Sequence, residues 1–227
     1  MPTTLITGAN RGLGLETARQ LAALGHVVLL GSRSMERGEA AASTLDGTVQ
    51  AVQLDVLDDT SVRAAAERIE SEHGCLDVLI NNAAVGYDPD VGALDADLES
   101  LRTAFETNVI GVLRVSQFMA PLLRRSDHPR IVNVASGLSQ LASMDAGIPA
   151  YRTSKAAMNA LTRMLADELA PSGCLVNSIG PGWAATDMGG PGGGPIPPCA
   201  ARIVAGATLP DDGPTGSFIL EDQLADW

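Results

Sequence analysis

Short apolar runs rich in β-branched residues alternate with longer helical patterns along nearly the whole chain, and few folds accommodate that alternation. Residues 4–7, 27–31, 49–55, 76–80, 130–135, 175–179 and 217–220 read as strands. Residues 12–25, 35–45, 58–73, 98–125 and 150–170 read as helices, the third capped by Asp58 or Asp59 and the fourth broken near Pro121. Strands joined through helix-length segments make a parallel sheet with right-handed crossovers and helices on both faces. The expected fold is therefore α/β, a doubly wound parallel sheet in three layers, α/β/α. The 227 residues could hold one large domain or two small ones, and unbroken alternation favours a single domain over 1–227. Residues 189–198, GGPGGGPIPP, suit neither a regular helix nor a strand. They are expected to form a loop, within a Gly/Pro-rich segment at 182–200 on the substrate side.

In such a sheet, ligands bind beyond the carboxyl ends of the strands, and the chain's motifs fall at those ends. After the first strand comes Thr7-Gly8-Ala9-Asn10-Arg11-Gly12-Leu13-Gly14. Glycines there let the backbone turn tightly and approach a pyrophosphate, whose charge the next helix N-terminus favours. The second strand ends in Gly31-Ser32-Arg33, where an NAD-binding chain would carry an acid for the adenosine ribose. Arg33 with Arg11 can instead clamp a 2′-phosphate through charge-assisted bonds, which points to NADPH/NADP+. Asp55, closing the third strand, can accept from an adenine amino group or cap a turn. Asn81-Asn82-Ala83-Ala84 follows the fourth strand; its amides can brace strand ends or line a cleft. Asn108 lies in an apolar helix, where a buried amide needs partners. Ser136 ends the fifth strand, where a hydroxyl can face a carbonyl. Past the sixth, Pro181-Gly182-Trp183-Ala184-Ala185-Thr186 makes a turn able to meet a nicotinamide amide.

Tyr151-Arg152-Thr153-Ser154-Lys155 holds the only lysine and one of two tyrosines in the chain. Helical spacing i, i+4 puts both on one face. A cation held there lowers a phenol's pKa from its ordinary value of about 10 and makes it a better acid near neutral pH. The bland alternative is two unrelated surface or packing contacts.

A net charge of −12 argues against nucleic acid or an anionic membrane surface as partner. Cys75, Cys174 and Cys199 are odd in number and lack metal-ligand spacing, so we expect neither a disulfide framework nor a metal site, and a cytoplasmic protein. No window offers about 18 uninterrupted apolar residues, and the first residues do not read as a signal peptide.

Taken together, TGANRGLG, Asp55, NNAA, Asn108, Ser136, YRTSK and PGWAAT with Asp187-Met188 resemble the short-chain dehydrogenase/reductase family from end to end. The segments PGWAATDMGGP, Thr208-Leu209-Pro210, Gly213-Pro214-Thr215-Gly216 and Trp227 most resemble its NADPH-dependent carbonyl reductases. The resemblance implies a Rossmann-like fold and reduction of a ketone or aldehyde by an Asn108, Ser136, Tyr151, Lys155 tetrad. Tyr151 would protonate the carbonyl oxygen and Ser136 would hold it. Lys155 would bind the nicotinamide ribose, with Asn108 placing a water that links Lys155 to solvent. The implied cofactor-binding set is Gly8, Asn10, Arg11, Gly12, Leu13, Gly14, Ser32, Arg33, Asp55, Val56, Asn82, Ala83, Tyr151, Lys155, Pro181, Gly182, Trp183 and Thr186. A homodimer or homotetramer is expected, paired through the helices at 98–125 and 150–170.

The chain departs from the family pattern in several places. Ala84 stands where glycine is usual, and Ala135 replaces the first of a common serine pair. Ser136 precedes Tyr151 by 15 residues, more than is commonest, which leaves Ser139, at 12, as runner-up. The long insert before the tyrosine in some monomeric carbonyl reductases is absent. Tyr87, Leu138, Met144, Trp183 and Met188 could line an apolar substrate pocket or simply pack. Two other activities remain open: a 3-oxoacyl-thioester reductase using the same tetrad, and a non-catalytic NADP-sensing protein.

Overall fold

In the computed structural model, which describes residues 1–86 and 91–227, successive strand residues alternate between two apolar layers. The strands are β1 (Thr3–Ile6), β2 (Val27–Ser32), β3 (Val49–Gln53), β4 (Val78–Asn81), β5 (Arg130–Val134), β6 (Leu175–Gly180), β7 (Ser217–Leu220) and β8 (Gln223–Ala225). The helices are α1 (Gly12–Ala23), α2 (Met35–Ala42), α3 (Asp59–His73), α4 (Leu98–Phe105), α5 (Gly111–Leu123), α6 (Pro149–Leu169) and α7 (Ile196–Ala207). Leu5, Leu29, Leu79, Ile131 and Val176 face one layer, with Val62 and Ile69 of α3, Met119 of α5 and Leu165 of α6. Their chain neighbours Ile6, Leu30, Ile80 and Val132 face the other, with Leu21 of α1, Ala41 of α2 and Ile203 of α7. Apolar side chains on both faces of the strands are what a sheet covered on both sides requires.

The sheet order is β3-β2-β1-β4-β5-β6-β7-β8. β1 to β7 pair in parallel and β8 pairs antiparallel with β7. Chain direction across the sheet reverses between β1 and β4, so their carboxyl ends open a crevice at the topological switch point. Beneath it, Asn81 Nδ2 donates to Asn133 Oδ1 at 2.8 Å. Asn133 Nδ2 donates to Thr162 Oγ1 at 2.8 Å, joining β4, β5 and α6 in one buried polar chain.

The single α/β fold matches the expectation, and three local features differ from it. The helix expected over 98–125 does not break at Pro121, which lies inside α5. It is interrupted at Glu106–Ile110 by a π turn, around Asn108, whose amide is engaged by Val85. Residues 196–198, expected as loop, are the first turn of α7. Proline is a poor residue inside a helix but a good one in its first turn, where the missing N–H has no intrahelical partner. The third feature is the hairpin to β8. Its two-residue turn, Glu221-Asp222, has positive φ at both positions, 47° and 72°, the geometry of a tight hairpin usually marked by Asn-Gly. No helix among the described residues is long and apolar enough to cross a membrane.

Candidate active site

The glycine-rich turn between β1 and α1 is shaped by what its glycines lack. A Cβ on Gly14 would sit 2.6 Å from Asn82 Nδ2 and 2.9 Å from the Ala9 Cα. Gly8 and Gly12 take positive φ, 62° and 56°, where a side chain is strained. Asn82, just past β4, holds the turn: its Nδ2 donates to the carbonyls of Thr7 and Gly8 at 2.9 and 3.2 Å. Thr7 Oγ1 accepts from the backbone N–H groups of Asn82 and Ala83, both at 3.0 Å. The N-cap of α1, Arg11, makes no side-chain cap. The first N–H groups of α1 therefore point out of a bare backbone cradle, suited to an anion. Gly14→Ala should cost about 1–3 kcal/mol by overpacking. The melting temperature, followed by circular dichroism, should drop by roughly 2–10 °C; an unchanged melt would contradict this packing.

Above the switch point lies a cleft of about 650 Å³. One end is lined by Gly8, Asn10, Arg11, Gly12, Leu13, Gly14, Arg33, Asp55 and Val56. Asn82 and Ala83 line its floor, and Pro181, Gly182, Trp183 and Thr186 the far wall. Ser136, Tyr151 and Lys155 line the other end. Two expected members are not at its surface. Ser32 is buried, and its hydroxyl turns back to the Ser34 carbonyl at 2.9 Å. Asn108 is also buried: Oδ1 accepts from Val85 N at 2.9 Å, and Nδ2 donates to Val85 O and to Ser154 Oγ at 2.8 and 2.9 Å. It ties the π turn to α6 and to the segment after β4. Asp55 reaches the cleft while one oxygen caps the Leu57 N–H at 3.0 Å.

The two serine candidates separate clearly. Ser136 caps a 3-10 turn, Gly137–Ser139, accepting from Leu138 N at 3.2 Å, and lines the cleft. Ser139 is 1 % exposed, and its hydroxyl donates to the Ser136 carbonyl.

Tyr151 and Lys155 lie one turn apart on α6, as the spacing predicts. The ammonium sits 5.8 Å from the tyrosine ring centroid. Lys155 is fully buried and its Nζ donates to Val134 O at 2.7 Å. Burial pulls its pKa down from 10.5 to about 8, because a charge is costly away from water.

Arg11 Nη1 meets Asp187 Oδ2 at 2.6 Å across the cleft mouth. With the side chains 71 % and 76 % exposed, the pair contributes little to stability. Arg33 is exposed and forms no ion pair with a described residue.

Of the suggested pocket residues, Leu138, Trp183 and Met188 line the cleft and Met144 does not; Tyr87 lies outside the described residues. Sequence reasoning missed Ile148, Leu220 and Glu221, which also line it. Leu220 and Glu221 close the carboxyl end of β7, a place the strand-end rule could have flagged. Ile148 carries no local signal, and adopts a left-handed conformation at φ 51°.

Residues 2–192 match the family described as short chain dehydrogenase. Over 206 residues the chain is 40% identical to the short-chain dehydrogenase anuI of Penicillium roqueforti, covering 83% of this chain and 81% of that one. The structure resembles NADPH-bound carbonyl reductase from chicken fatty liver with a TM-score of 0.87, at 25% identity over 100% of this chain and 99% of the other. It also resembles NADH-complexed 3-ketoacyl-(acyl-carrier-protein) reductase from Brucella melitensis, with a TM-score of 0.86, at 25% identity over 96% of each.

Proposed function

The chain belongs to the short-chain dehydrogenase family, oxidoreductases of carbonyl and alcohol groups, and from that premise we propose that it reduces a ketone or aldehyde with NADPH. The observation that carries the reading is one shared surface: Ser136, Tyr151 and Lys155 line the same cleft as the glycine-rich cradle. The cradle fits a dinucleotide, since bare glycine backbone and an uncapped helix N-terminus face the space a pyrophosphate would take. Gly8, Asn10, Gly12, Leu13 and Gly14 would hold that group, and Asp55, Val56 and Ala83 would border the adenosine. Pro181, Gly182, Trp183 and Thr186 would border the nicotinamide.

Bound nicotinamide supplies the hydride. The rest falls to the chain's own side chains. The Tyr151 phenol gives its proton to the substrate's carbonyl oxygen. The Ser136 hydroxyl donates to that oxygen as its negative charge grows, a preorganised contact. Lys155, held by the Val134 carbonyl beside the tyrosine ring, stabilises the phenolate left behind. Asn108 fixes α6 against the segment after β4 and so keeps the three in register.

NADPH is preferred over NADH in this reading because two arginines, Arg11 and Arg33, line the cradle end and no acid closes β2. Each charge-assisted contact is worth about 1.5–3 kcal/mol. Arg33→Asp should therefore lower kcat/KM for NADPH by about 10- to 100-fold and leave NADH much less affected. Steady-state kinetics with both cofactors tests this, and equal use of both by the parent protein would contradict it. Thioesters on an acyl carrier belong in the same substrate panel, because a 3-oxoacyl reductase would use the same groups.

We place the protein in the cytoplasm, a reading supported by Cys75, Cys174 and Cys199 all being free thiols. We also propose a homodimer or homotetramer. The outer side of α6 offers small residues, Ala156, Ala157 and Ala160, beside Met164, which is 65% exposed, and Ile110 of the π turn is exposed as well. Light scattering should give two or four times the 23.4 kDa chain mass; a monomer at micromolar concentration would contradict the proposal.

A further inference from the structure

Helix α6 grips the chain on both sides of Ser136. Lys155 Nζ bonds the Val134 carbonyl, two residues before the serine. One turn along the same helix face, Asn159 Nδ2 donates to Ser139 Oγ at 2.9 Å, three residues after it. Ser139 Oγ donates in turn to the carbonyl of Ser136 itself at 2.6 Å. All three gripping side chains are buried, with Lys155 and Ser139 1% exposed and Asn159 3%. Tyr151, Lys155 and Asn159 stand at i, i+4 and i+8, so the helix that carries the phenol also sets where the serine lies.

The bond from Ser139 to Ser136 alone would be a local feature of a tight turn. Asn159 makes it tertiary, reaching back 20 residues from α6. Its Oδ1 has no hydrogen-bond partner among the described residues. Among the described residues, the amide's hydrogen bonding is thus directed at this turn.

We infer that Asn159, acting through Ser139, is a positioning residue that fixes the Ser136 hydroxyl against the Tyr151 phenol. The inference rests on the carbonyl-reductase reading of Ser136 and adds to it a residue outside the tetrad. Position matters here because a misplacement of about 1 Å can cost about 100-fold in rate. Losing one of two anchors leaves Lys155 in place and should cost less.

A double-mutant cycle tests this with purified protein, NADPH and a ketone that the parent reduces. Asn159→Leu and Ser139→Ala should each lower kcat about tenfold. NADPH affinity, read by fluorescence titration, should stay within about twofold, and Ser139→Thr should recover most of the loss. In a Ser136→Ala background the same substitutions should change kcat by less than about twofold, because the hydroxyl they position is gone. Equal losses in both backgrounds, or a parallel loss of NADPH affinity, would overturn the inference while leaving the carbonyl-reductase reading intact. Parental turnover by Ser136→Ala alone would instead sink the reading of Ser136, and the inference with it. Should Ser139→Ala fail to fold, Asn159→Leu carries the cycle by itself.

Discussion

Tyr151→Phe should lower the rate of carbonyl reduction by about 10²–10⁴-fold, the usual contribution of a positioned general acid. The substitution removes one hydroxyl and keeps the ring, which lines the cleft with the Lys155 ammonium 5.8 Å from its centroid. NADPH affinity should therefore stay near the parental value. The glycine cradle, Asn82 and Arg33, which carry most of the proposed dinucleotide contacts, lie elsewhere in the cleft. Kinetic constants and a binding titration on one preparation separate the two effects. Near-parental turnover would remove Tyr151 from the mechanism; lost NADPH binding would mean that the phenol holds the cofactor rather than the substrate oxygen.

Lys155→Met should show a large split between activity and stability. Activity should fall at least about 100-fold, because the cation beside the phenol is gone. Stability should not fall with it. Lowering of the lysine's pKa from 10.5 to about 8 means that burial of the charged form costs about 3 kcal/mol. Removing the ammonium relieves that cost but leaves Val134 O without its donor, a loss of about 1–3 kcal/mol. At pH 7 the melting temperature should thus be unchanged or higher by a few degrees.

The same shift sets the pH behaviour. The folded-state pKa lies below the unfolded one. Between about 8 and 10.5 the unfolded chain therefore holds a proton that the folded chain has released, and stability from this group rises with pH across that window. Reduction runs the opposite way, declining as pH rises past about 8 and the buried cation is lost. Lys155→Met should remove this rising contribution. A large drop in its melting temperature at pH 7 would contradict this account.

What could be read from the chain was what local periodicity and local turn chemistry determine. The alternation of strands and helices gave the sheet, and the positions of the glycine-rich turn and of Tyr151 and Lys155 followed from it. What could not be read depended on contacts far along the chain. The π turn at Glu106–Ile110 surrounds an amide bonded to Val85, 23 residues away. Pro197 and Pro198 break a helix in its interior but are tolerated in the first turn of α7, a position local sequence does not mark. Ser136 and Ser139 differ by only three positions, and spacing from Tyr151 left both open. The 3-10 turn places them differently, leaving Ser136 at the cleft and burying Ser139 against α6. Ser32 ends β2, as its position in the chain implies, yet its hydroxyl bonds the Ser34 carbonyl and Ser32 does not line the cleft.

In the proposed reaction this cleft transfers hydride from NADPH to a carbonyl carbon while Tyr151 protonates the oxygen. The most direct measurement uses NADPH deuterated at C4 of the nicotinamide, on the transferred face, with a panel of ketones, aldehydes and a 3-oxoacyl thioester, and mass analysis of the products. Deuterium is expected at the carbinol carbon of at least one ketone or aldehyde product with the parent protein, and at most a trace with Tyr151→Phe. A parent protein that binds NADPH yet yields no labelled alcohol from any ketone or aldehyde, or a Tyr151→Phe variant that labels as fast as the parent, would contradict it.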